Sequence, residues 1–382
     1  MRRICVVVTA RPSYSRIRTA LEAIDAHPDL ELQLVVGASA LLDRFGSVVD
    51  RIEADGFTIE ERVVMVLDGE SPLAMAKTTG VGIIELAGVF DRLQPDAVVT
   101  IADRYETLAT ATAAAYLGVP LVHVQGGEVT GSIDERVRHA ITKLADLHLP
   151  STELSRERIV RMGEDPDHVV VTGCPSIDLA LRVRDGEVPP FDPYERYVGV
   201  GGRPDLSGGY LVVMQHPVTD EHAQARAQIW ATLEAVERTG LPALWFWPNV
   251  DAGSDGISTG IREFRELGRA GRLHFFKNMA PLDFLRVALD SSAIVGNSSV
   301  ALRECSSLGV PAVNIGSRQR GRERGANVID VAHDRDAIHA AIVRATSLPR
   351  EGESLYGDGR AGVRIADALA TLPLTSTKML TY

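Results

Sequence analysis

The sequence predicts an α/β protein built from two doubly wound, Rossmann-like parallel sheets. Its 382 residues exceed the usual size of one domain, so two compact domains are expected. Short, continuously apolar runs alternate with helical patterns, as in sheets whose two faces are both covered by helices. A proline- and glycine-rich stretch at 185–209 interrupts this alternation once and indicates a linker.

Five apolar runs predict the strands of the first sheet. They are Ile4–Val8, Leu32–Val36, Ala97–Ile101, Leu121–Val124 and Val169–Val171. Between the first two runs, Ile17, Ala20, Leu21 and Ile24 recur at the spacing of one helix face, with Ser13 as the expected N-cap. This strand and helix form the first βα unit.

A second alternation follows the linker. Its predicted strands are Tyr210–Met214, Ala243–Phe246, Leu273–Phe275, Ala293–Val295 and Ala312–Ile315. A last helix is expected near 363–372. We therefore predict an N-terminal domain over 1–184 and a C-terminal domain over 185–362, and the final helical segment could pack on either domain.

Composition narrows the classes of function. Lys and Arg number 40 against 51 Asp and Glu, a net charge of −11, which argues against a general nucleic-acid or membrane-surface binder. The three cysteines are odd in number and far apart, which favours reduced thiols and a cytoplasmic location. The first apolar run is too short for the core of a signal peptide.

Familiar cofactor signatures are missing from the sequence. Gly80-Val-Gly82 lacks the third glycine of a dinucleotide fingerprint, and Gly199 to Gly202 lies in the predicted linker. No phosphate-binding GxxxxGK[ST] loop occurs, and the histidines do not have metal-ligand spacing. We therefore expect neither a cofactor nor a metal.

A stronger pattern is Gly296-Asn-Ser-Ser299, where an apolar strand ends and a helix that carries Glu304 is expected to open. Free amides at such a helix start suit a pyrophosphate, and Glu304 suits a ribose diol. An ordinary N-cap with a surface glutamate is the alternative. Four arginines in the segment 316–325, after the next strand, favour the ligand site.

Carboxylates follow two strands of the first sheet. Asp103 comes after one strand, and Gln125, Glu128 and Asp134 come after the next. The three carboxylates among these residues can supply general acid and base chemistry, although helix capping is an equal alternative for Asp103 and Asp134. In the second domain, His216 follows the first strand and is the histidine for which we expect a function.

Several segments together resemble the hydrolysing UDP-N-acetylglucosamine 2-epimerases of sialic-acid pathways, over nearly the whole chain. They are Arg11 to Arg16, Asp103 to Glu106, Gly126 to Glu128, Ile133 to Lys143, Gln215 to Thr219, Trp247 to Asn249, Gly296 to Ser299 and Gly316 to Gln319. The resemblance implies the glycosyltransferase-B architecture, with the active site in the interdomain cleft and the C-terminal segment 363–382 joined to the first domain. It also implies a homodimer.

The reaction implied by the resemblance eliminates UDP from UDP-GlcNAc to give 2-acetamidoglucal, then adds water to release N-acetylmannosamine. A base must take the C2 proton, and an acid must return one to the other face. By resemblance, Asp103 and Asp134 are the acid/base residues, Arg138 supports them, and His216 lies near the leaving diphosphate. The implied UDP contacts are Arg11, Ser15, Arg104, Asn249, Ser298, Ser299, Glu304 and Arg318.

One residue departs from the family pattern. Where the family commonly has a carboxylate, this chain has Gln125, which cannot carry a proton. Either Glu128 or Asp134 takes over that chemistry, or the reaction differs. The alternatives are a UDP-GlcNAc hydrolase or related enzyme without C2 inversion, a UDP-sugar-binding protein without catalysis, and a glycosyltransferase of the same fold.

Overall fold

The computed structural model describes residues 1–42, 48–67, 72–101, 104–130, 133–248 and 253–381. These residues form two compact units. The first consists of Met1–Val129, Ile133–Asp178 and Tyr356–Tyr382, and the second of Thr130–Ser132 and Leu179–Leu355. The first unit therefore ends six residues before the expected position 184, and the chain returns to it at 356 rather than at 363.

The first unit alternates strands and helices. Its strands are β1 (Arg2–Val8), β2 (Leu30–Gly37), β3 (Glu61–Val63), β4 (Ala97–Ile101), β5 (Leu121–Val124) and β6 (Leu147–Leu149). Its helices are α1 (Arg11–Asp25), α2 (Val48–Ala54), α3 (Pro72–Leu93), α4 (Tyr105–Tyr116), α5 (Ile133–Leu144), α6 (Glu153–Arg161), the first turn of α7 (Pro175–Arg184) and α14 (Ala361–Thr371).

The second unit also alternates strands and helices. Its strands are β7 (Gly199–Gly201), β8 (Leu211–Met214), β9 (Ala243–Phe246), β10 (Leu273–Phe276), β11 (Ala293–Gly296), β12 (Ala312–Ile315) and β13 (Val328–Val331). Its helices are α8 (Pro193–Arg196), α9 (Ala225–Thr239), α10 (Ser254–Glu266), α11 (Pro281–Asp290), α12 (Glu304–Leu308) and α13 (Arg335–Ala345).

Both sheets follow the doubly wound strand order. The first is β3-β2-β1-β4-β5-β6 and fully parallel. The second is β13-β12-β11-β8-β9-β10-β7, parallel except for β7 at the edge. The direction of winding reverses between β1 and β4 in the first unit and between β8 and β11 in the second. In such sheets, ligands bind beyond the carboxyl ends of the strands at this switch point.

Burial on both faces explains the apolar strand patterns. In β1, Ile4, Val6 and Val8 belong to one buried cluster, whereas Cys5 and Val7 belong to the cluster on the opposite face. Because successive side chains of a strand point to opposite faces, a strand covered on both sides must be apolar throughout. The predicted α/β class with two doubly wound sheets is confirmed.

Two local predictions are wrong. Val169–Val171 is not a strand, since Val169 forms only an isolated bridge with His148. Helix α1 begins at Arg11 rather than after Ser13, and Ala10 precedes it in extended conformation. Pro12 lies in the first turn, where its fixed φ favours helix and its missing N–H costs no hydrogen bond.

Helix α14 is fixed to α1 within the first unit. The Asp178 carboxylate accepts hydrogen bonds from the backbone N–H groups of Ala361 (3.0 Å) and Gly362 (2.8 Å) and from the Thr19 hydroxyl (2.8 Å). A Cβ at Gly362 would lie 2.4 Å from the Thr19 carbonyl oxygen. The acidic side chain therefore satisfies the free amides at the start of α14, and the glycine lets the helices approach closely.

One segment of the described chain, Leu73–Leu93 in α3, has the length and apolar composition of a membrane span. Only 28% of its most apolar window is buried within the protein. Leu73 and Ile84 are 64% and 72% exposed. Length and composition alone do not separate a span from a helix that packs against protein.

Candidate active site

In the first unit, Arg11 and Ser15 lie at the start of α1, directly after β1. The loop between the two elements is fixed by Thr9, whose carbonyl accepts hydrogen bonds from the Ala40 amide and the Ser39 hydroxyl, both at 3.1 Å. Burial lowers the pKa of Arg11, whose side chain is half-buried. The Ser15 hydroxyl donates to the Arg11 carbonyl at 3.4 Å. Both residues therefore lie at the switch point of the first sheet.

Arg104 follows β4, the neighbouring strand, and is the N-cap residue of α4. Its Nε donates to the Glu106 carboxylate at 2.9 Å, and Glu106 is fully buried. The ion pair holds the Arg104 guanidinium at the carboxyl edge of the sheet. Asp103, the predicted acid/base residue next to it, lies outside the described residues.

Gln125 follows β5 in a left-handed conformation, with a φ of 64°. Its backbone N–H donates to the Leu149 carbonyl at 3.0 Å, and its side-chain Nε2 donates to the Cys174 sulfur, also at 3.0 Å. Gln125 and Cys174 are both buried. The glutamine side chain therefore donates a hydrogen bond to a buried cysteine sulfur in the interior of the first unit.

The two glycines after Gln125 are required by close packing. A Cβ at Gly126 would lie 2.9 Å from His123 Nδ1, and one at Gly127 would lie 2.2 Å from the Ser155 carbonyl oxygen on α6. Gly127 also has a φ of 76°, which L side chains rarely adopt. This turn leads directly into Glu128, which is buried.

Arg138 joins this turn to α5. Its Nη1 donates to the Glu128 carbonyl at 2.8 Å and to the Glu135 carboxylate at 2.9 Å, and the side chain is 1% exposed. Asp134 is half-buried in the first turn of α5, four residues before Arg138 and thus on the same helix face. Arg138 therefore joins the Glu128 backbone to the helix that carries Asp134, and the roles of Glu128, Asp134 and Arg138 remain predictions.

In the second unit, His216 and Asn297 meet at the switch point between β8 and β11. The Asn297 Oδ1 accepts the His216 backbone N–H at 2.7 Å, and its Nδ2 donates to the His216 carbonyl at 2.8 Å. Both residues are buried. A Cβ at Gly296 would lie 2.1 Å from the Met214 carbonyl oxygen, so glycine is needed for this contact.

The segment after β11 differs from the predicted continuous helix. Ser298 caps a 3-10 turn over Ser299–Ala301, and the five-residue helix α12 begins only at Glu304. Ser298 is 7% exposed, and its hydroxyl accepts from the Val300 amide at 3.5 Å. Ser299 is half-buried. The predicted diphosphate residues therefore lie on a short turn and not on the first turn of a long helix.

Glu304 is 7% exposed. Within the described part of the chain, its Oε2 has no hydrogen-bond partner. A buried carboxylate oxygen without a partner costs free energy, which a hydroxyl-bearing ligand would offset.

The arginine-rich segment after β12 folds back onto Asn297. The Asn297 carbonyl accepts hydrogen bonds from Gln319 Nε2 at 2.9 Å and from Arg318 Nη1 at 3.3 Å. Arg324 pairs with Asp330, and Arg322 donates to the Gln319 side chain at 3.0 Å. At least three of the four arginines therefore have internal contacts. Asn249, another predicted UDP contact, lies outside the described residues.

Several interactions at the site were not predicted from the sequence. Glu106, Cys174 and the Asn297 amide make their contacts with residues 2, 49 and 81 positions away. Asn297 and Glu106 lie in segments that the sequence singled out, but neither segment indicated the contact that its side chain makes. Among the described residues, no group of three or more His, Cys, Asp or Glu could hold a metal ion.

Sequence comparison gives one family over most of the chain. The model of the UDP-N-acetylglucosamine 2-epimerase family matches residues 22–370. A Legionella pneumophila protein named UDP-N,N'-diacetylbacillosamine 2-epimerase (hydrolyzing) is 33% identical over 377 residues, which cover 98% of this chain and 97% of the relative. The UDP-N-acetylglucosamine 2-epimerase of Neisseria meningitidis is 28% identical over 360 residues, 94% of this chain and 92% of the relative.

Solved structures agree on the fold. The UDP-GlcNAc 2-epimerase of Methanocaldococcus jannaschii, in complex with UDP-GlcNAc and UDP, superposes with a TM-score of 0.80 at 16% identity and covers 96% of this chain and 99% of its own. The UDP-GlcNAc-bound enzyme from Neisseria meningitidis gives a TM-score of 0.79 at 17% identity, with the same coverage.

Proposed function

The chain belongs to the UDP-N-acetylglucosamine 2-epimerase family, and on that premise we propose that it is a hydrolysing 2-epimerase of a UDP-2-acetamido sugar. UDP-GlcNAc is the proposed substrate, with UDP and N-acetylmannosamine as products. The observation that carries the hydrolysing reaction is the 33% identity to the hydrolysing Legionella relative over nearly the full length of both chains.

A second substrate is favoured by the same relatives. The Legionella protein and a Campylobacter jejuni relative, 28% identical over 331 residues, are both named for UDP-linked N,N'-diacetylbacillosamine. That sugar has two acetamido groups, of which one is at C2 as in UDP-GlcNAc. The chemistry at C1 and C2 is therefore common to both substrates.

The proposed reaction has two steps. A base removes the C2 proton while the C1–O bond to UDP breaks, which leaves a C1=C2 double bond. Water then adds its oxygen at C1, and an acid delivers a proton to C2 from the opposite face. Asp103 and Asp134 are the proposed acid/base pair, with Glu128 as the carboxylate that replaces the one missing at position 125. Arg138 fixes the turn that carries Glu128.

UDP is proposed to bind the second unit. The diphosphate would contact Ser298, Ser299 and His216, and the ribose hydroxyls would contact Glu304. The buried, unpartnered Oε2 of Glu304 within the described chain and the position of His216 at the switch point support this arrangement. Arg11, Ser15, Arg104, Asn249 and Arg318 are the further proposed contacts.

We also propose a cytoplasmic homodimer formed through α3. Leu73, Ala76, Gly80 and Ile84 are exposed along one helix face, and Lys77 and Glu85 give it one charge of each sign. A two-fold axis near the middle of the helix would bring unlike charges together. Light scattering tests this: Ile84→Glu should give a monomer, and Glu157→Gln on α6 should not change the wild-type mass.

The three cysteines are free and buried, which supports the proposed location in a reducing compartment.

The test of the activity is turnover of each UDP sugar in heavy water, followed by proton and phosphorus NMR. We expect UDP, a free C2-inverted sugar and deuterium at C2, because elimination discards the original proton. Asp103→Asn should lower the rate about 10²- to 10⁴-fold while UDP still binds. An inverted sugar still attached to UDP, a product that retains its C2 hydrogen, free GlcNAc, or binding without turnover would each contradict the proposal.

A further inference from the structure

The segment after α14 contacts the far end of α5 through one lysine. Lys378 Nζ donates to the carbonyl oxygens of Ala145 at 2.6 Å and Thr142 at 3.0 Å, in and just after the last turn of α5. The last carbonyls of a helix have no partner within it and carry partial negative charge. Lys378 therefore supplies both the donor and the positive charge that this helix end favours.

The same ammonium group belongs to an ionic cluster around the buried Glu164 carboxylate. One Glu164 carboxylate oxygen is 2.5 Å from Lys378 Nζ, and the other is 2.5 Å from Lys143 Nζ on α5. His148 Nε2 on β6 is 3.0 Å from the carboxylate, and the Glu164 side chain is 3% exposed. Removing one lysine from this cluster leaves the buried Glu164 carboxylate with only one cation, so the members of the cluster hold one another in place.

A further hydrogen bond holds the segment on the first unit. The Thr381 amide donates to the Gly163 carbonyl at 3.2 Å, next to Glu164. Leu374 packs on the core cluster of the first sheet. The segment is thus attached on both sides of Lys378.

Helix α5 extends from Lys378 to the proposed proton chemistry. Its first turn carries Asp134, and its middle carries Arg138, which donates to the Glu128 carbonyl. Near its other end, the Thr142 hydroxyl is 3.2 Å from His123 Nδ1 on β5, the strand that leads to Gln125. Twelve residues at 1.5 Å each make a rigid rod of about 18 Å. A shift at the Lys378 end therefore displaces Asp134 and Arg138 as well.

We propose that Lys378 is a positioning residue for catalysis, which fixes α5 so that Asp134, Arg138 and Glu128 keep their productive geometry. This inference rests on the proposed function for its kinetic effect. Reacting groups must be held within about 0.5 Å of their productive positions, because a misplacement of about 1 Å can lower the rate roughly 100-fold.

The experiment compares Lys378→Met, Lys378→Arg and the control Thr377→Met, which introduces the same side chain at an exposed neighbour. Lys378→Met should lower kcat by roughly 10- to 100-fold, with UDP affinity by calorimetry within about twofold of wild type. Lys378→Arg should recover most of kcat, because it keeps the charge and several donors. Hydrogen exchange of the amides at 133–145 should accelerate in Lys378→Met and remain unchanged in Thr377→Met.

Two results would overturn the inference. One is a Lys378→Met variant with kcat within twofold of wild type, and the other is an equal loss of kcat and UDP affinity, which indicates general destabilisation. If Lys378→Met does not fold, Lys378→Gln keeps a donor without the charge and is judged by the same measurements. A wild-type protein that turns over no UDP sugar contradicts the proposed function instead, and hydrogen exchange in α5 still tests the positioning effect.

Discussion

The Asn297 side-chain amide binds the backbone of His216 at both its N–H and its C=O, with distances of 2.7 and 2.8 Å. The two residues are 81 positions apart and follow β8 and β11, the two strands between which the winding of the second sheet reverses. One buried amide therefore fixes the backbone at the predicted diphosphate site. The backbone of His216 is therefore fixed by Asn297 as well as by the following Pro217, which restricts it to an extended conformation.

Changing Asn297 should therefore affect His216 more than it affects the fold. Asn297→Asp keeps the acceptor for the His216 N–H but places a carboxylate oxygen against the His216 carbonyl. We expect kcat/KM to fall about 10-fold or more, since a lost buried hydrogen bond costs about 1 to 3 kcal/mol. In a double-mutant cycle with His216→Ala, the two losses should be clearly less than additive. Full additivity would show that Asn297 acts independently of the histidine.

Glu304 should favour ligand binding at the expense of stability. Glu304→Met removes a buried carboxylate while keeping a similar volume, so we expect a higher midpoint of thermal unfolding for the free protein. UDP affinity measured by calorimetry should fall roughly tenfold or more, because a charge-assisted bond to the ribose is lost. Glu266→Met, at an exposed position on α10, is the control and should change neither quantity. Unchanged UDP affinity in Glu304→Met would remove Glu304 from the ribose site.

The position of Gln125 leads to a test of which carboxylate moves the proton. Gln125 cannot carry a proton, and its side chain donates to the buried Cys174 thiol, so we expect Glu128 or Asp134 to act instead. Glu128→Gln and Asp134→Asn should each be assayed for UDP release and for sugar identity. At least one should lower sugar formation about 10²-fold or more, and accumulation of 2-acetamidoglucal would indicate a blocked hydration step.

Gln125→Glu is the matched variant for that test. A carboxylate at this buried position would lose the hydrogen bond that Gln125 Nε2 donates to Cys174 and would bury a charge, so we expect lower thermal stability and no gain in turnover. Faster turnover in Gln125→Glu, or unchanged sugar formation in both carboxylate variants, would contradict our assignment.

The cluster around Glu164 predicts how stability depends on pH. Burial lowers the pKa of His148 below 6.5 despite its contact with Glu164, so the unfolded chain binds a proton there before the native protein does. Burial would raise the pKa of Glu164, but hydrogen bonds from His148, Lys143 and Lys378 lower it to about 2. Stability should therefore fall as pH drops below 6.5, and fall further between 4.5 and 2.

Thermal unfolding followed by circular dichroism from pH 8 to pH 4 measures this effect. His148→Gln keeps a donor for Glu164 and should flatten the curve between pH 6.5 and pH 5. The control His339→Gln on α13, in the second unit, should leave the curve unchanged. An unfolding midpoint that does not change between pH 7 and pH 5 would show that His148 is not held neutral.

The sequence alone determined the central strands and the doubly wound class. The runs of β4, β5, β9 and β12 were predicted with the bounds that the structure has, because a strand covered on both faces must be apolar at every position. The edge strands β3, β6, β7 and β13 were not predicted. Three of them are only three residues long, and β3, β7 and β13 are not buried at every position, so they lack a continuous apolar run. Their hydrogen bonds come from neighbouring strands.

The sequence also predicted that the candidate residues lie at the carboxyl edge of each sheet, because parallel strands place their carboxyl ends at one edge. Only the tertiary structure decided which side chains touch. The Asn297 amide binds the His216 backbone, Gln125 contacts Cys174, and Lys378 closes the end of α5, and each of these contacts joins residues 49 or more positions apart. Such contacts depend on strand order and on close approaches such as that of Gly296 to Met214, which no local pattern of residues encodes.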